Sequence, residues 1–214
     1  MKRIVYMWAI IFCINIGYVP NVVAQQTLQE AYKQGNVAWL GLDFGLAKMV
    51  GPDGFRDPHR IVNVYLNAWN DMFLTERNKY DVDKALKLVF TTFRPDFFRD
   101  KNLSIAHTEL VGYNVRPALT KTQLQNAVSS YNTSALKEKV AVAIIVDELN
   151  SINKNGTAYL VMLDTQTKTI IYKHRLYGKP SGVSFRNYWA GAYHDWIKVL
   201  RKKAWPEIRQ QVKN

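Results

Sequence analysis

The chain has 214 residues, 48% of them hydrophobic and 13% aromatic, and a formal net charge of +12. That composition is globular and excludes a disordered chain, and the length suits one domain with a sizeable core. With a single cysteine, Cys13, a disulfide framework and a multi-cysteine metal centre are excluded.

The N-terminus reads as targeting information. Lys2 and Arg3 precede an almost wholly apolar run, Ile4 to Ile16, followed by Pro20 and then Val22-Val23-Ala24 ahead of Gln25. This is the pattern of a secretory signal peptide, expected to span residues 1–24 and to be cleaved. The apolar run is shorter than the roughly 20 residues that cross a bilayer, so no transmembrane segment is expected in the mature chain. Residues 25–214 are expected to form a single α/β domain, exported to the periplasm or outer envelope. Without Cys13 the mature chain has no thiol nucleophile. For an exported basic protein, an envelope protein or an anionic envelope polymer is the expected partner, and nucleic acid is not.

Thr27 to Gly35 reads as a short helix or an extended lead-in. Val37 to Val50 has the composition of an interior strand, with Gly41 and Gly45 marking a bulge or a close approach by another backbone. Gly51-Pro52-Asp53-Gly54 ends it. Asp57-Pro58 starts a helix to about Leu74, with Ile61, Tyr65, Trp69, Met72 and Phe73 on its core face and His59, Asn63, Asn67 and Asn70 on another line. Asp81 opens a short helix or a turn, Leu86 to Phe93 favours strand, and Leu103 to Tyr113 suggests another short strand. Thr120 caps a helix over about Lys121 to Tyr131.

The C-terminal block is more strongly patterned. Val140 to Val146 is apolar on both faces, Asn153 to Gly156 supplies a hairpin turn, and Thr157 to Leu163 returns. After the Asp164–Lys168 turn, Ile170, Tyr172, His174 and Leu176 alternate with Lys173 and Arg175, as in a strand near a sheet edge with one basic face. A last helix from about Ser184 carries Phe185, Trp189, Ala192, Trp196, Ile197 and Leu200 inward, and Trp205-Pro206 is expected to end it. The fold class is therefore α+β, a mixed β-sheet of about five strands with a C-terminal three-strand antiparallel meander, packed by two or three helices.

No metalloprotease, phosphate-loop or nucleophile-elbow motif occurs, and Ser134-Ala-Leu-Lys137 is an isolated Ser-x-x-Lys match. The four histidines are scattered, so no metal site, cofactor or catalytic set is expected. Asp43, Asp147 and Glu148 at strand ends leave a small hydrolase as the alternative, although Asp147 and Glu148, being adjacent on a strand, cannot work as a pair. The favoured reading is a non-catalytic binding module. Its candidate anion- or partner-binding residues are Lys173, Arg175, Lys179, Ser181 and Arg186, grouped around the Gly178–Gly182 loop and a helix N-terminus.

The order strand, helix, strand, helix, three-strand meander, helix resembles the N-terminal domain of the TolB translocation protein and the periplasmic domain of the curli secretion lipoprotein. Leu163 to Ile170 looks like the turn between the last two strands of such domains. Trp39-Leu-Gly-Leu-Asp43 and Phe185-Arg-Asn-Tyr-Trp-Ala-Gly191 are similar to segments of exported Gram-negative proteins of unknown function. The resemblance implies an envelope-domain fold and carries no catalytic residues.

Overall fold

A computed structural model describes residues 19–213, so most of the expected signal sequence, residues 1–18, lies outside the described residues. The chain runs α1 (Val19–Gln34), β1 (Val37–Asp43), β2 (Lys48–Val50), then α2 (Pro58–Arg60), a π-helical stretch (Ile61–Tyr65) and α3 (Leu66–Thr75) as one rod. There follow α4 (Val82–Leu86), β3 (Phe90–Phe93), α5 (Arg99–Leu103), α6 (His107–Leu110), β4 (Val111–Gly112) and α7 (Lys121–Ser129). The meander β5 (Val140–Asn150), β6 (Asn155–Asp164) and β7 (Ile170–Gly178) leads into α8 (Phe185–Val199), a π-helical turn (Leu200–Ala204) and α9 (Trp205–Lys213).

The expected mixed α+β domain is what forms. Its seven-stranded sheet is organised on β5, whose eleven residues are all buried. One edge of β5 pairs antiparallel with β6, which pairs antiparallel with β7. The other edge pairs in parallel first with β1 and then with β2, and β3 and β4 flank those two in turn. Seven strands thus occupy five lanes, because the two lanes on the parallel side of β5 are each broken in two.

The chain leaves the ladder in a turn closed by the Ala47 amide on the Phe44 carbonyl (2.9 Å), and β1 is already bulged before it, at Gly41. Its φ of 94° and the register shift beside it make a bulge, and a Cβ there would stand 2.3 Å from Asn70 Oδ1. Asn70 uses that space to clamp the strand: it accepts from the Leu42 amide (2.6 Å) and donates to the Leu42 carbonyl (2.9 Å). The asparagine line on the α2–α3 rod therefore divides, with Asn63 exposed and bonded to His59, and Asn67 and Asn70 buried.

Beneath α1, α3, α8 and α9 lies the larger core, where Trp69 contacts Phe44, Tyr65, Phe185 and Tyr193. The opposite face is a smaller cluster beneath α7 and the Phe97-Phe98 segment. Among the described side chains of α1, those from residue 22 onward, the buried ones are Thr27, Leu28 and Ala31, whereas Val22 and Val23 are half exposed.

Four local expectations change. Leu103 to Tyr113 forms the end of α5, then α6, and only two residues of strand, since its polar run lacks a two-residue alternation. Strand β3 starts at Phe90 because α4 extends to Leu86 and Lys87 (φ 55°) turns the chain. The β5–β6 turn is made by Asn150, whose Oδ1 accepts from the Ile152 and Asn153 amides, while Gly156 sits inside β6 with a Cβ position 3.2 Å from Ala192 Cβ. Pro206 does not end the last helix. The π-helical turn before it lets the Trp205 amide reach the Leu200 carbonyl, and proline, lacking an amide, is tolerated at the start of the renewed helix.

Candidate functional site

Strand β7 has one covered face and one open one, as its alternation predicts. Tyr172 and Leu176 are buried on the helix side, where Glu207 of α9 bonds both Tyr172 (3.0 Å) and His174 (2.9 Å). On the other face Arg175 lies directly opposite Tyr159 of β6 and Lys173 opposite Val161. The Arg175 guanidinium stands 5.8 Å from the Tyr159 ring and 4.9 Å from the Tyr177 ring, and the Lys173 ammonium 6.0 Å from Tyr159. The result is a cation–aromatic row, Lys173–Tyr159–Arg175–Tyr177, on a strand whose outer edge has no strand partner among the described residues, although Gln125 of α7 accepts from the Ile170 amide at its start (3.0 Å).

At one end of this row sits Asp147, 2% exposed. It accepts from Thr157 (3.1 Å) and pairs with Arg175 (3.4 Å) and Arg116 (3.5 Å). The Arg116 guanidinium also donates to the carbonyls of Asp147 (2.8 Å) and Leu46, so it closes the gap in the ladder where β1 gives way to β2. Sequence reasoning missed Arg116. Its only signal is an arginine before Pro117 in a loop, which does not announce this role.

Of the other three candidates, Arg186 has its side chain paired, and Lys179 and Ser181 are held by their backbone amides. The Lys179 amide donates to Asp195 (3.1 Å), and the Ser181 amide donates to the Tyr188 carbonyl (2.9 Å). Ser181 is the segment that Gly191 admits, a Cβ there falling 2.4 Å from its carbonyl oxygen. Arg186 pairs with Glu76 (3.2 Å), and its carbonyl accepts from Trp69 Nε1 (3.0 Å). The structure brings Lys173 and Arg175 together and ties Arg186 to Glu76, while the side chains of Lys179 and Ser181 stay exposed beside the start of α8.

Asp43 and Asp147 share a sheet face, but neither is a free base. Asp43, fully buried, accepts from the Gly45 amide (2.8 Å), Lys101 (2.6 Å) and the Tyr131 hydroxyl (2.7 Å). Burial, and then the Asp43 charge and hydrogen bond, hold the Tyr131 phenol well above its usual range, so it remains a donor. A cleft of about 400 Å³ opens beside Lys101 and Tyr131, walled by Arg94, Phe97, Ser130 and Asn132. His107 meets His59 edge to face, 5.7 Å between ring centres, and does not line that cleft. Among the described residues no group of three or more histidines and carboxylates could hold a metal ion, and no helix is long and apolar enough to cross a membrane.

No protein-family model matches the chain, and a search of curated proteins finds no match. The fold defines a mixed α/β domain with an open, basic edge strand.

Proposed function

We propose that this chain is an exported, non-catalytic binding module of the envelope whose β7 edge receives an extended acidic segment of a partner protein. The observation that carries the reading is the β7 edge beyond Ile170, which among the described residues has no strand partner on its outer side and is bordered by Lys173, Arg175 and Tyr177. A free strand edge offers alternating amides and carbonyls that a peptide satisfies and a polysaccharide or lipid does not. Charge selects among peptides. A second copy pairing antiparallel about His174 would set Lys173 against Arg175 on the same face, which like charges oppose, whereas acidic side chains gain there. Export rests on the N-terminal pattern. A hydrolase finds less support, since both strand-end aspartates are saturated by hydrogen bonds and ion pairs.

The test is a labelled ten-residue peptide of alternating glutamate and valine, its lysine counterpart, and a sulfated polysaccharide. The acidic peptide is expected to bind and to slow hydrogen exchange at outward β7 amides, and Lys173→Glu to weaken it by about tenfold without a change in melting temperature. Peptide binding without added protection in β7 refutes strand addition. Binding of the polysaccharide alone makes the partner an anionic polymer instead.

A further inference from the structure

Away from β7, a pocket of about 320 Å³ lies between the α4 region and the C-terminal half of α8. Lys79, Asp81 and Lys84 line one side, and His194, Lys198 and Arg201 the other. The second set falls at i, i+4 and i+7, which puts it on one helix face. Two carboxylates are near, and both are engaged. Asp81 caps α4 through the Lys84 amide (2.8 Å), and Asp195 holds Lys198 (2.8 Å) and the Lys179 amide. Lys79, whose ammonium stands over the Tyr80 ring at 5.2 Å, Lys84 and Arg201 have no ion-pair partner among the described residues. Ala85 and Ile197 form a buried apolar floor.

We propose that this pocket binds a phosphate-bearing anion, held by Lys79, Lys84, Lys198 and Arg201 over the His194 ring. Four cationic side chains converging on one concavity suit a group with several charged oxygens better than a single carboxylate. His194 reports the imbalance: burial first, and then Lys198, Lys79 and Arg201, hold its pKa below the usual value, against the opposing pull of Asp195. Tyr80, its ring 6.3 Å away, Asp81 and Lys84 complete the charged and titratable surroundings. An anion among these cations favours the imidazolium, so its affinity rises as pH falls through the His194 titration. The site is separate from the β7 edge, and each stands or falls alone.

The experiment is an NMR titration of the four histidines of the full chain with pyrophosphate. The expected result is an upward shift of the His194 pKa alone, with pyrophosphate affinity falling at least about tenfold in Lys84→Gln/Arg201→Gln and unchanged in Lys137→Gln. Vesicles of phosphatidylglycerol, compared with phosphatidylcholine, separate the sources. Vesicle binding that pyrophosphate displaces assigns a lipid headgroup, and pyrophosphate binding without vesicle binding assigns a soluble phosphate. An unmoved His194 at saturating pyrophosphate, or equal affinity in the double variant, overturns the proposal.

Discussion

The open face of β7 and the pocket between α4 and α8 both concentrate positive charge, but they hold it differently. On β7 the guanidinium of Arg175 is spoken for, by Asp147 at 3.4 Å and by two tyrosine rings, and Arg116 is fixed by the same carboxylate and two carbonyls. In the pocket the lysines and Arg201 face one another across a concavity whose carboxylates are already committed. The first arrangement stabilises the fold and exposes only a remainder of its charge. In the second, Lys198 has Asp195 but Lys79, Lys84 and Arg201 have no ion-pair partner among the described residues, and a ligand can supply one. Positive charge in a sequence is therefore no measure of positive charge available to a partner.

The largest effect should come from breaking the matched region. In Asp147→Asn a 2%-exposed carboxylate is lost between Arg116 and Arg175, whose side chains are 28% and 36% exposed. Removing one member of a buried pair strands the other, so a loss of about 2–3 kcal/mol is expected, below the fully buried range because water reaches both arginines. Urea unfolding measures it, and a loss within error would mean that Arg116 and Arg175 are held by their other contacts alone. Glu76→Gln makes the same cut at a more open pair, Arg186–Glu76, where both side chains are more than a third exposed. There the expected loss is about 0.5 kcal/mol or less.

How far such differences can be read in the sequence depends on the residue. Strand β5, the alternation of β7 and the Asp57-Pro58 and Thr120 helix starts were all legible, because periodicity and capping are local. The division of the lanes on the parallel side of β5 was not, since it needs Asn70 and Asn102 to reach across to Leu42 and Phe44. Continuation of the last helix past Pro206 was hidden for another reason: a π-helical turn removes the usual penalty, and no composition signals it. Around Lys179 the sequence shows the donors but not the acceptors, Asp195 and Tyr188, that the fold brings to the Lys179 and Ser181 backbone amides. Conversely, the spacing of His194, Lys198 and Arg201 was visible, but its meaning depended on Lys79 and Lys84 arriving from a distant segment.

In the unmatched region the effects on stability should be small and of the opposite sign. Lys84→Gln/Arg201→Gln removes repulsion and no ion pair, so unfolding free energy should hold steady or rise by up to about 0.5 kcal/mol at low ionic strength. The gain should fade in about 0.5 M salt, where the screening length falls to a few ångströms. A clear loss of stability would show that these side chains hold the pocket together instead of leaving it open.

The finest test is the pH dependence of His194→Gln. Because the folded pKa of His194 lies below the usual 6.5, the unfolded chain takes up a proton first as the solution is acidified. Between 6.5 and the lower folded value the unfolded state binds more protons, so stability falls with falling pH there, and above 6.5 this residue contributes no penalty. Glutamine cannot titrate, so the variant should lose less stability than the parent across that window and match it in slope above it. Pyrophosphate should flatten the parent's profile in the same way, because it supplies the counter-charge that Asp195 only partly provides. Coincident profiles for the parent and the variant would mean that neither burial nor Lys198, Lys79 and Arg201 holds the ring's pKa down, and the contrast between the two regions would then rest on the matched side alone.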